Sequence, residues 1–467
     1  MIGRRTSARK LLGILRDPVP AAKRAILARR WQELDHAIRL PGQGLGRKAT
    51  GCGATIGVQP RCDFACTGCY LGREANQVPA LPTAAVLAQL DELRRHLGPK
   101  SNVQITDGEV TLRPLPELVE ILRHARSIGV IPMIMTHGDV LRRQPGLLER
   151  LMVEGALTEI SVHIDITQRG RLGYRAPVSE LELMPLREEI AALLRAARRR
   201  TGRPLRAAMT LTVTEQNLPQ VADVVRWTVR NRDAFSLISF QPLARVGRTR
   251  AGLRGAGAAA LWREIGKAVA GYGLDLRDAQ PLHFGHPECT RFVPLLAVER
   301  PGQPPRLLQL IRDRPDDLAI MDEFFAHGLG GVAFRDDLAL EAAARGAGLL
   351  AAAPRWFFGR LRRWVDERLR AELGTTFLPL LLAALCGRVR IDSFTLTSHH
   401  FMDAGELSTE AGQARLAACV FRLPYKGEMV PMCRMNAAGI RESFYSEATG
   451  KVPAPGRDPA QSNQPAG

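Results

Sequence analysis

Between residues 54 and 243 the sequence alternates two kinds of stretch, and this alternation constrains the fold more than any other feature. Amphipathic stretches with apolar residues at helical spacing, such as 83–97, separate short apolar stretches typical of buried strands. The strand-like stretches are 54–59, 102–107, 131–137, 157–165, 205–214 and 235–243. Strands that alternate with helices form a parallel sheet covered by helices. We therefore predict an α/β fold in which six strand–helix units form a partial barrel, open on one side.

Changes in pattern divide the chain. Beyond about residue 275 the alternation stops; residues 306–374 look helical, and residues 391–435 look like strands and turns. The final segment is rich in Pro, Gly and polar residues, which is typical of disorder. We predict four parts: a basic N-terminal arm (1–50), the partial barrel (51–275), a C-terminal α+β extension (276–446) and a disordered tail (447–467).

Three of the eight cysteines follow the first predicted strand, in the stretch CDFACTGCY at 62–70. In parallel barrels the chemistry lies at the carboxyl ends of the strands, so this position is where a site is expected. Thiolates bind zinc, copper(I) or iron–sulfur clusters. A structural zinc site needs a fourth ligand, and none lies close in sequence. Cys62, Cys66 and Cys69 therefore predict a [4Fe-4S] cluster with one iron left open for a reactant; a zinc loop is the alternative.

The arrangement Cys62-x3-Cys66-x2-Cys69 after the first strand resembles the cluster loop of the radical S-adenosylmethionine (SAM) superfamily. This resemblance implies a partial (βα)6 TIM-like barrel as the radical SAM core. It also implies that the open iron binds the methionine end of SAM, and that an electron from the cluster cleaves the sulfonium. The resulting 5′-deoxyadenosyl radical then abstracts hydrogen from an inert C–H bond. The three cysteines would thus be catalytic as well as metal ligands.

A second stretch, TDGEVTLRP at 106–114, follows the second predicted strand, where the family carries Gly-Gly-Glu-Pro. Gly108 and Glu109 match that motif, while Asp107 replaces its first glycine and Val110 its proline. The resemblance implies that Glu109 accepts a charge-assisted hydrogen bond from the SAM ammonium.

Further cofactor-binding residues follow from the same resemblance. The family usually has an aromatic residue just before the third cysteine, whereas this chain has Gly68 there and Tyr70 just after. Tyr70 is the substitute expected near the adenine. Asp165, which ends the fourth predicted strand, is a candidate for the ribose hydroxyls, although it could instead cap the next segment. His163 is a second candidate, and Gln241 at the end of the sixth strand is placed at the same face.

Several blocks resemble a narrower group, the tetraether lipid synthase-like radical SAM proteins. The matching blocks are residues 239–248, 286–292, 398–403 and 419–436. The group carries an N-terminal rubredoxin-like iron domain with four cysteines. This chain has no cysteine before Cys52, so residues 1–51 cannot form such a domain. The resemblance implies a hydrophobic, lipid-linked substrate and C–C bond formation or a related modification.

The remaining cysteines are candidates for a second iron–sulfur cluster. Cys289, Cys419 and Cys433 lie in the matching blocks, with Cys386 or Cys52 as the fourth ligand. Buried, inert cysteines are the alternative. His399 and His400 could be structural, substrate-facing or proton-handling.

The net charge of +18 indicates an anionic partner, either nucleic acid or a lipid surface. On a helix over 354–374 an apolar face borders arginines, a pattern typical of helices at a membrane interface. The members of that face are Trp356, Phe357, Leu361, Trp364, Val365 and Leu369. Packing on the barrel is the alternative. No apolar run is long enough to cross a bilayer. We predict a cytoplasmic protein, peripheral on the inner face of the membrane.

These patterns predict a radical SAM enzyme that acts on a hydrophobic substrate and takes electrons from a reductant such as ferredoxin or flavodoxin. A peptide-modifying enzyme is the first alternative, but it would carry a cysteine-rich C-terminal block that this chain lacks. An RNA-modifying enzyme is the second. Nucleic acid is disfavoured as a partner because no binding motif is found and aromatic residues make up only 5% of the chain. A non-catalytic iron–sulfur scaffold is the last alternative.

Overall fold

The computed structural model describes residues 7–331 and 339–450. Within them one sheet contains the strands β1 (Cys52–Ala54), β2 (Asn102–Ile105), β3 (Ile131–Thr136), β4 (Glu159–His163), β5 (Arg206–Val213), β6 (Leu237–Pro242), β7 (Thr290–Glu299), β8 (Arg306–Gln309), β9 (Arg390–His399), β10 (Phe421–Tyr425) and β11 (Glu428–Pro431). Their order across the sheet is β11-β10-β1-β2-β3-β4-β5-β6-β9-β7-β8.

The α-helices that surround this sheet are α1 (Ala8–Arg16), α2 (Ala21–Glu33), α3 (Thr83–Leu97), α4 (Leu115–Ser127), α5 (Asp139–Arg143), α6 (Leu147–Val153), α7 (Met184–Thr201), α8 (Val221–Arg230), α9 (Ala258–Ala270), α10 (Pro315–Ala326), α11 (Ala339–Ala352), α12 (Arg362–Leu373), α13 (Phe377–Leu385), α14 (Glu410–Ala417), α15 (Met432–Ala437) and α16 (Ile440–Thr449). Amphipathic spacing explains α3, where Val86, Leu90, Leu93 and Leu97 are all buried.

The predicted partial barrel is confirmed. Strands β1 to β6 are neighbours in chain order and pair in parallel. Five predicted strands agree with the structure to within two residues at either end. The first predicted strand, 54–59, lies too far along the chain, because β1 ends at Ala54. The chain then turns at Gly57, whose φ is +76° and whose missing side chain makes room for Leu81.

The C-terminal half extends the same sheet instead of forming a sheet of its own. Strand β10 pairs in parallel with β1, and β9 pairs in parallel with β6, so both edges of the six-stranded core are covered. Antiparallel β7 then covers β9, over registers from Thr290↔His399 to Glu299↔Arg390. Strand β8 lies at the start of the segment that looked helical, and α14 lies within the segment predicted as strands and turns.

The two termini are anchored where the structure describes them. Lys23 and Leu27 of α2 are buried, so the predicted basic arm packs on the rest of the molecule. Its residues 1–6 lie outside the described residues. Helix α16 continues to Thr449, past the predicted start of the tail at 447. Residues 451–467 of that tail are also outside the described residues.

The helix predicted to lie on a membrane is packed against the protein instead. A π-helical turn (Trp356–Leu361) leads into α12, and Trp356 and Leu369 are buried. Trp364 donates a hydrogen bond to Asp317 at 2.9 Å. This face is packed because the neighbouring helices provide apolar contacts and a buried hydrogen-bond acceptor. Among the residues described, no helix has the length and apolar character needed to cross a bilayer.

Candidate active site

A cavity of about 340 Å³ lies at the carboxyl ends of the central strands. Thr136, His163 and Gln241, which end or nearly end β3, β4 and β6, line it together with the loop that follows β1. Residues flanking the outer parallel strands β9 and β10 line the rest. Both halves of the chain therefore build one cavity.

The loop that carries Cys62, Cys66 and Cys69 forms one wall of this cavity. Backbone hydrogen bonds hold the loop: Thr67 N donates to Thr167 O at 2.8 Å, and Arg250 N donates to Thr67 O at 2.8 Å. A side chain at Gly68 would place its Cβ 2.5 Å from Cδ1 of Leu243. The aromatic residue that the family usually has at this position would therefore require the Leu243 side chain to shift.

The three thiols influence one another electrostatically. Burial raises the pKa of Cys62 to about 12, and nearby negative charges, Cys69 among them, add to this. Burial also raises the pKa of Cys66 well above its usual value, reinforced by Cys69 and Cys62. Such thiols release their protons only to a strong positive charge, and a metal supplies one.

The cation that the protein itself directs at these thiols is Arg248. Burial lowers the pKa of this guanidinium, but Cys69, Cys66 and Cys62 together raise it, so the net shift is upward. All three cysteines are free of disulfides. Three free thiols on one cavity wall, beside an arginine, are a donor set that fits an iron–sulfur cluster bound by three protein ligands.

The backbone of Gly108 explains why glycine is required there. Its φ is +63°, and an added Cβ would lie 2.2 Å from Gln59 O and 2.4 Å from Pro60 O. Glu109 N donates to Arg61 O at 3.0 Å, in the same close approach. The Gly-Glu stretch is therefore paired directly with the start of the cysteine loop.

The carboxylate of Glu109 is buried among protein donors. Oε1 accepts from Thr136 Oγ1 at 2.7 Å and from Thr111 N at 3.1 Å, and Oε2 accepts from His137 N at 2.8 Å. The side chain still lines the cavity. These bonds fix its orientation before any ligand binds.

No sequence pattern singled out His137, which follows β3 and lines the cavity. Its ring stacks on Phe64, with centroids 3.7 Å apart, and its Nε2 lies 2.8 Å from Asp63 Oδ1. It therefore holds the cysteine loop from the end of β3. The available signal was its position: like Asp165 and Gln241, it is a polar residue at the carboxyl end of a predicted strand.

Of the two candidates for the ribose hydroxyls, His163 faces the cavity and Asp165 does not. Asp165 is fully buried and does not line the cavity, because its carboxylate accepts from Thr167 N at 2.7 Å and from Thr212 N at 2.9 Å. His163, the weaker candidate, faces the cavity and has its Nε2 2.6 Å from Asp165 Oδ2. Burial opposes ionisation of Asp165, but His163 and these hydrogen bonds lower its pKa below the usual range. Asp165 orients His163 and is shielded from any ligand.

Tyr70 and Gln241 both line the cavity, as their predicted roles require. Burial raises the pKa of Tyr70 to about 12, so its hydroxyl is neutral at physiological pH. The guanidinium of Arg441, from α16, lies 4.9 Å from the centre of the Tyr70 ring.

A second set of cysteines lines another part of the cavity: Cys52, Cys289, Cys419 and Cys433. Arg415 Nε donates to Cys289 Sγ at 3.3 Å, and Met402 N donates to Cys433 Sγ at 3.4 Å. Cys386 is excluded from this set because it is exposed at the end of α13 and does not line the cavity.

His399 and His400 lie at the end of β9 and line the same part of the cavity. Burial lowers the pKa of each to about 4, with His400 adding to the effect on His399 and Arg415 to that on His400. Both imidazoles are therefore neutral at pH 7. The surrounding lining is apolar and consists mainly of Phe284, Phe401, Met402, Leu416, Phe421 and Met432.

Comparison with known proteins gives one family match. Residues 56–228 match the model of the radical SAM superfamily. No curated protein matches the sequence. This match indicates a radical SAM domain within the barrel.

Several solved structures are similar to parts of the chain. The structure of anSMEcpe with bound AdoMet is 11% identical over 40% of this chain and 50% of that chain, with a TM-score of 0.30. With AdoMet and the Kp18Cys peptide, it is 10% identical over 66% of this chain and 98% of that chain, with a TM-score of 0.34. A radical SAM methyltransferase from Sphaerobacter thermophilus is 16% identical over 48% of this chain and 61% of that chain, with a TM-score of 0.30.

Proposed function

We propose that this radical SAM enzyme generates a 5′-deoxyadenosyl radical in its cavity and uses it on a hydrophobic, lipid-linked substrate, forming a C–C bond or a related modification. The observation that carries the proposal is that two sets of residues line one cavity. The cysteine loop and the Gly-Glu stretch provide the first set, and apolar side chains from the C-terminal half provide the second. Apolar walls with few polar groups favour an apolar ligand.

We assign roles to the first set of residues from their contacts. Cys62, Cys66 and Cys69 would hold a [4Fe-4S] cluster, and Glu109, held by Thr136 and His137, would orient the ammonium of SAM. Tyr70, His163 and Gln241 would contact the rest of the cofactor. The bound cluster supplies the electron that cleaves SAM into methionine and the radical that takes hydrogen from the substrate. A small reductant protein such as ferredoxin or flavodoxin is the electron donor that we propose.

A second iron–sulfur cluster is the next part of the proposal. Cys289, Cys419 and Cys433 line the same cavity, and Cys52 is the fourth thiol there. Iron and sulfide should be counted in wild type and in a Cys62→Ala/Cys66→Ala/Cys69→Ala variant, both reconstituted without oxygen. Retention of about half the iron by the variant supports a second cluster. Loss of all iron from a variant that remains folded rules it out.

Because the helix at 354–374 is packed against the protein, we propose that the membrane contact is made by α13 instead. One side of α13 packs through Leu380, while the opposite side exposes Phe377, Leu378, Leu381, Leu382 and Leu385. Residues 373–391 contain no acidic side chain but include Arg388 and Arg390. Arg362 lies over the ring of Phe377 at 5.9 Å. An apolar stripe bordered by arginines fits a bilayer with anionic headgroups.

Vesicle flotation tests this contact. Wild type should float with vesicles that contain phosphatidylglycerol and stay behind with phosphatidylcholine alone. Leu382→Glu should abolish flotation, because Leu382 is 53% exposed on the stripe, whereas Leu181→Glu serves as the matched control at 52% exposure elsewhere. If wild type fails to float, or if it forms dimers that Leu382→Glu dissociates, the stripe does not contact a membrane.

The enzymatic core of the proposal is tested by SAM cleavage. Protein reconstituted without oxygen should release 5′-deoxyadenosine from SAM when dithionite is added. Cys66→Ala should abolish the product, and Cys386→Ala should not, because Cys386 lies outside the cavity. Purified protein that contains zinc and no iron would contradict the proposal.

The substrate class needs a separate measurement. Lipids, peptides and RNA from cells with and without the gene should be compared by mass spectrometry. We expect the difference among the lipids, because the apolar part of the cavity is lined by Phe284, Phe401 and Phe421. A difference confined to a peptide or to RNA would favour one of the alternative modifying enzymes.

A further inference from the structure

One departure from the family motif is explained by a residue 334 positions away. Asp107 stands where the family has glycine, and its φ of +99° is one that side chains rarely adopt. The carboxylate accepts from Arg441 Nη1 at 2.7 Å and from Tyr445 hydroxyl at 2.8 Å. Its other oxygen accepts from Gly57 N at 2.7 Å. The unusual backbone conformation is therefore stabilised by contacts from the C-terminal helix α16.

The arginine of this pair is completely enclosed. The side chains of Arg441 and Asp107 are 1% and 0% exposed. Arg441 Nε also donates to Asn436 Oδ1 at 2.9 Å, and the guanidinium carbon lies 4.9 Å from the centre of the Tyr70 ring. Asn436 and Tyr70 both line the cavity. One side chain thus contacts the residue before Gly108, the residue after Cys69 and the cavity wall.

A buried ion pair is weak evidence for stability, since apolar residues of similar volume are often as stable. Such pairs are better explained when they fix one arrangement out of several. Here the arrangement is the relative position of the cysteine loop and the Gly-Glu stretch, the two segments that the proposed function assigns to the cluster and to SAM.

We propose that Arg441 is a positioning residue for SAM: through Asp107 it fixes the backbone that leads into Gly108 and Glu109, and through Tyr70 it fixes the residue that follows the cluster loop. This inference rests on the proposed function. It makes α16 part of the cofactor site, so that SAM affinity depends on the C-terminal helix.

The test is SAM affinity in Arg441→Lys. Lysine keeps the charge but cannot contact Asp107, Asn436 and the Tyr70 ring at once. Equilibrium dialysis of the cluster-loaded protein with SAM, without reductant, should show a Kd about tenfold higher than wild type. The matched control is Arg232→Lys, because Arg232 is also buried and ion-paired, with Asp392 at 2.8 Å near the start of β9. It should lower the midpoint of thermal unfolding without raising the Kd.

A double variant separates positioning from stability and covers the case in which Arg441→Lys does not fold. Asp107→Gly with Arg441→Met removes both buried charges and restores glycine at the positive φ, but it also removes hydrogen bonds of Gly57, Tyr445 and Asn436. The unfolding midpoint of the double variant should therefore fall, but by less than in Arg441→Met alone. Its Kd for SAM should still be raised at least fivefold. Wild-type affinity in a stable single or double variant overturns the inference and leaves the proposed function intact. Failure of wild type to bind SAM overturns the proposed function itself.

Discussion

At the scale of single residues, the site depends on a position that only glycine can occupy. Gly108 brings the second motif against the backbone of Gln59 and Pro60. The sequence predicted the importance of Gly108 from its place in the motif, but the close approach of the two loops is a tertiary fact. Asp165 is the opposite case. Its residue type and position in the sequence suggested a ligand contact, but it is buried behind His163 and does not line the cavity.

We expect Gly108→Ala to abolish SAM cleavage and to reduce the free energy of unfolding more than Gly129→Ala does. Both glycines have positive φ, +63° and +82°, but an added Cβ meets backbone atoms only at Gly108. Gly129→Ala should therefore show the conformational cost alone, about 1–2 kcal/mol. Urea unfolding and 5′-deoxyadenosine release measure the two effects. Equal losses in both variants would contradict the steric argument.

At the scale of elements, α2 was predicted to be part of a basic arm, but one of its faces is buried against the rest of the protein. Lys23 is 7% exposed, and its Nζ donates to Ser101 Oγ at 2.8 Å and to Thr50 Oγ1 at 3.1 Å. Burial, followed by the charge of Arg94, lowers the pKa of Lys23 to about 8. The sequence predicted only a basic arm over residues 1–50, because composition does not reveal which side of a helix is buried.

This lowered pKa predicts that stability rises with pH. Between about pH 8 and the unfolded value of about 10.4, the unfolded chain holds a proton at Lys23 that the folded protein has lost. Raising the pH across this interval should therefore increase the free energy of unfolding, by on the order of 2–3 kcal/mol from this group. Urea unfolding of wild type and Lys23→Met at pH 8 and pH 10 isolates the effect. An unchanged difference between the two proteins would refute it.

At the scale of the whole molecule, the C-terminal half completes the barrel on both sides. Strand β10 covers β1, and β9 covers β6. The sequence divided the chain at residue 275 because the strand–helix alternation stops there, yet strands that are distant in the chain join the same sheet. The cavity depends on this arrangement, because Phe284, Phe401, Phe421 and other apolar lining residues come from the C-terminal half.

We expect the fragment 51–275 to aggregate or to unfold without a cooperative transition. Without β9 and β10, both edges of the sheet would present unpaired backbone groups. Size-exclusion chromatography and calorimetry, with the full chain as the control, measure the outcome. A monomeric fragment that unfolds cooperatively near the midpoint of the full chain would show that the barrel is independent of its C-terminal half.

The sequence alone determined the strand–helix alternation, the three-cysteine loop and the Gly-Glu stretch, because each depends on residues close together in the chain. Only the tertiary structure decided which side chains face the cavity. It buried Asp165, brought in His137, excluded Cys386 and joined Asp107 to Arg441. These outcomes depend on contacts between residues far apart in sequence, and no local pattern of polarity or spacing encodes which distant partner a residue meets.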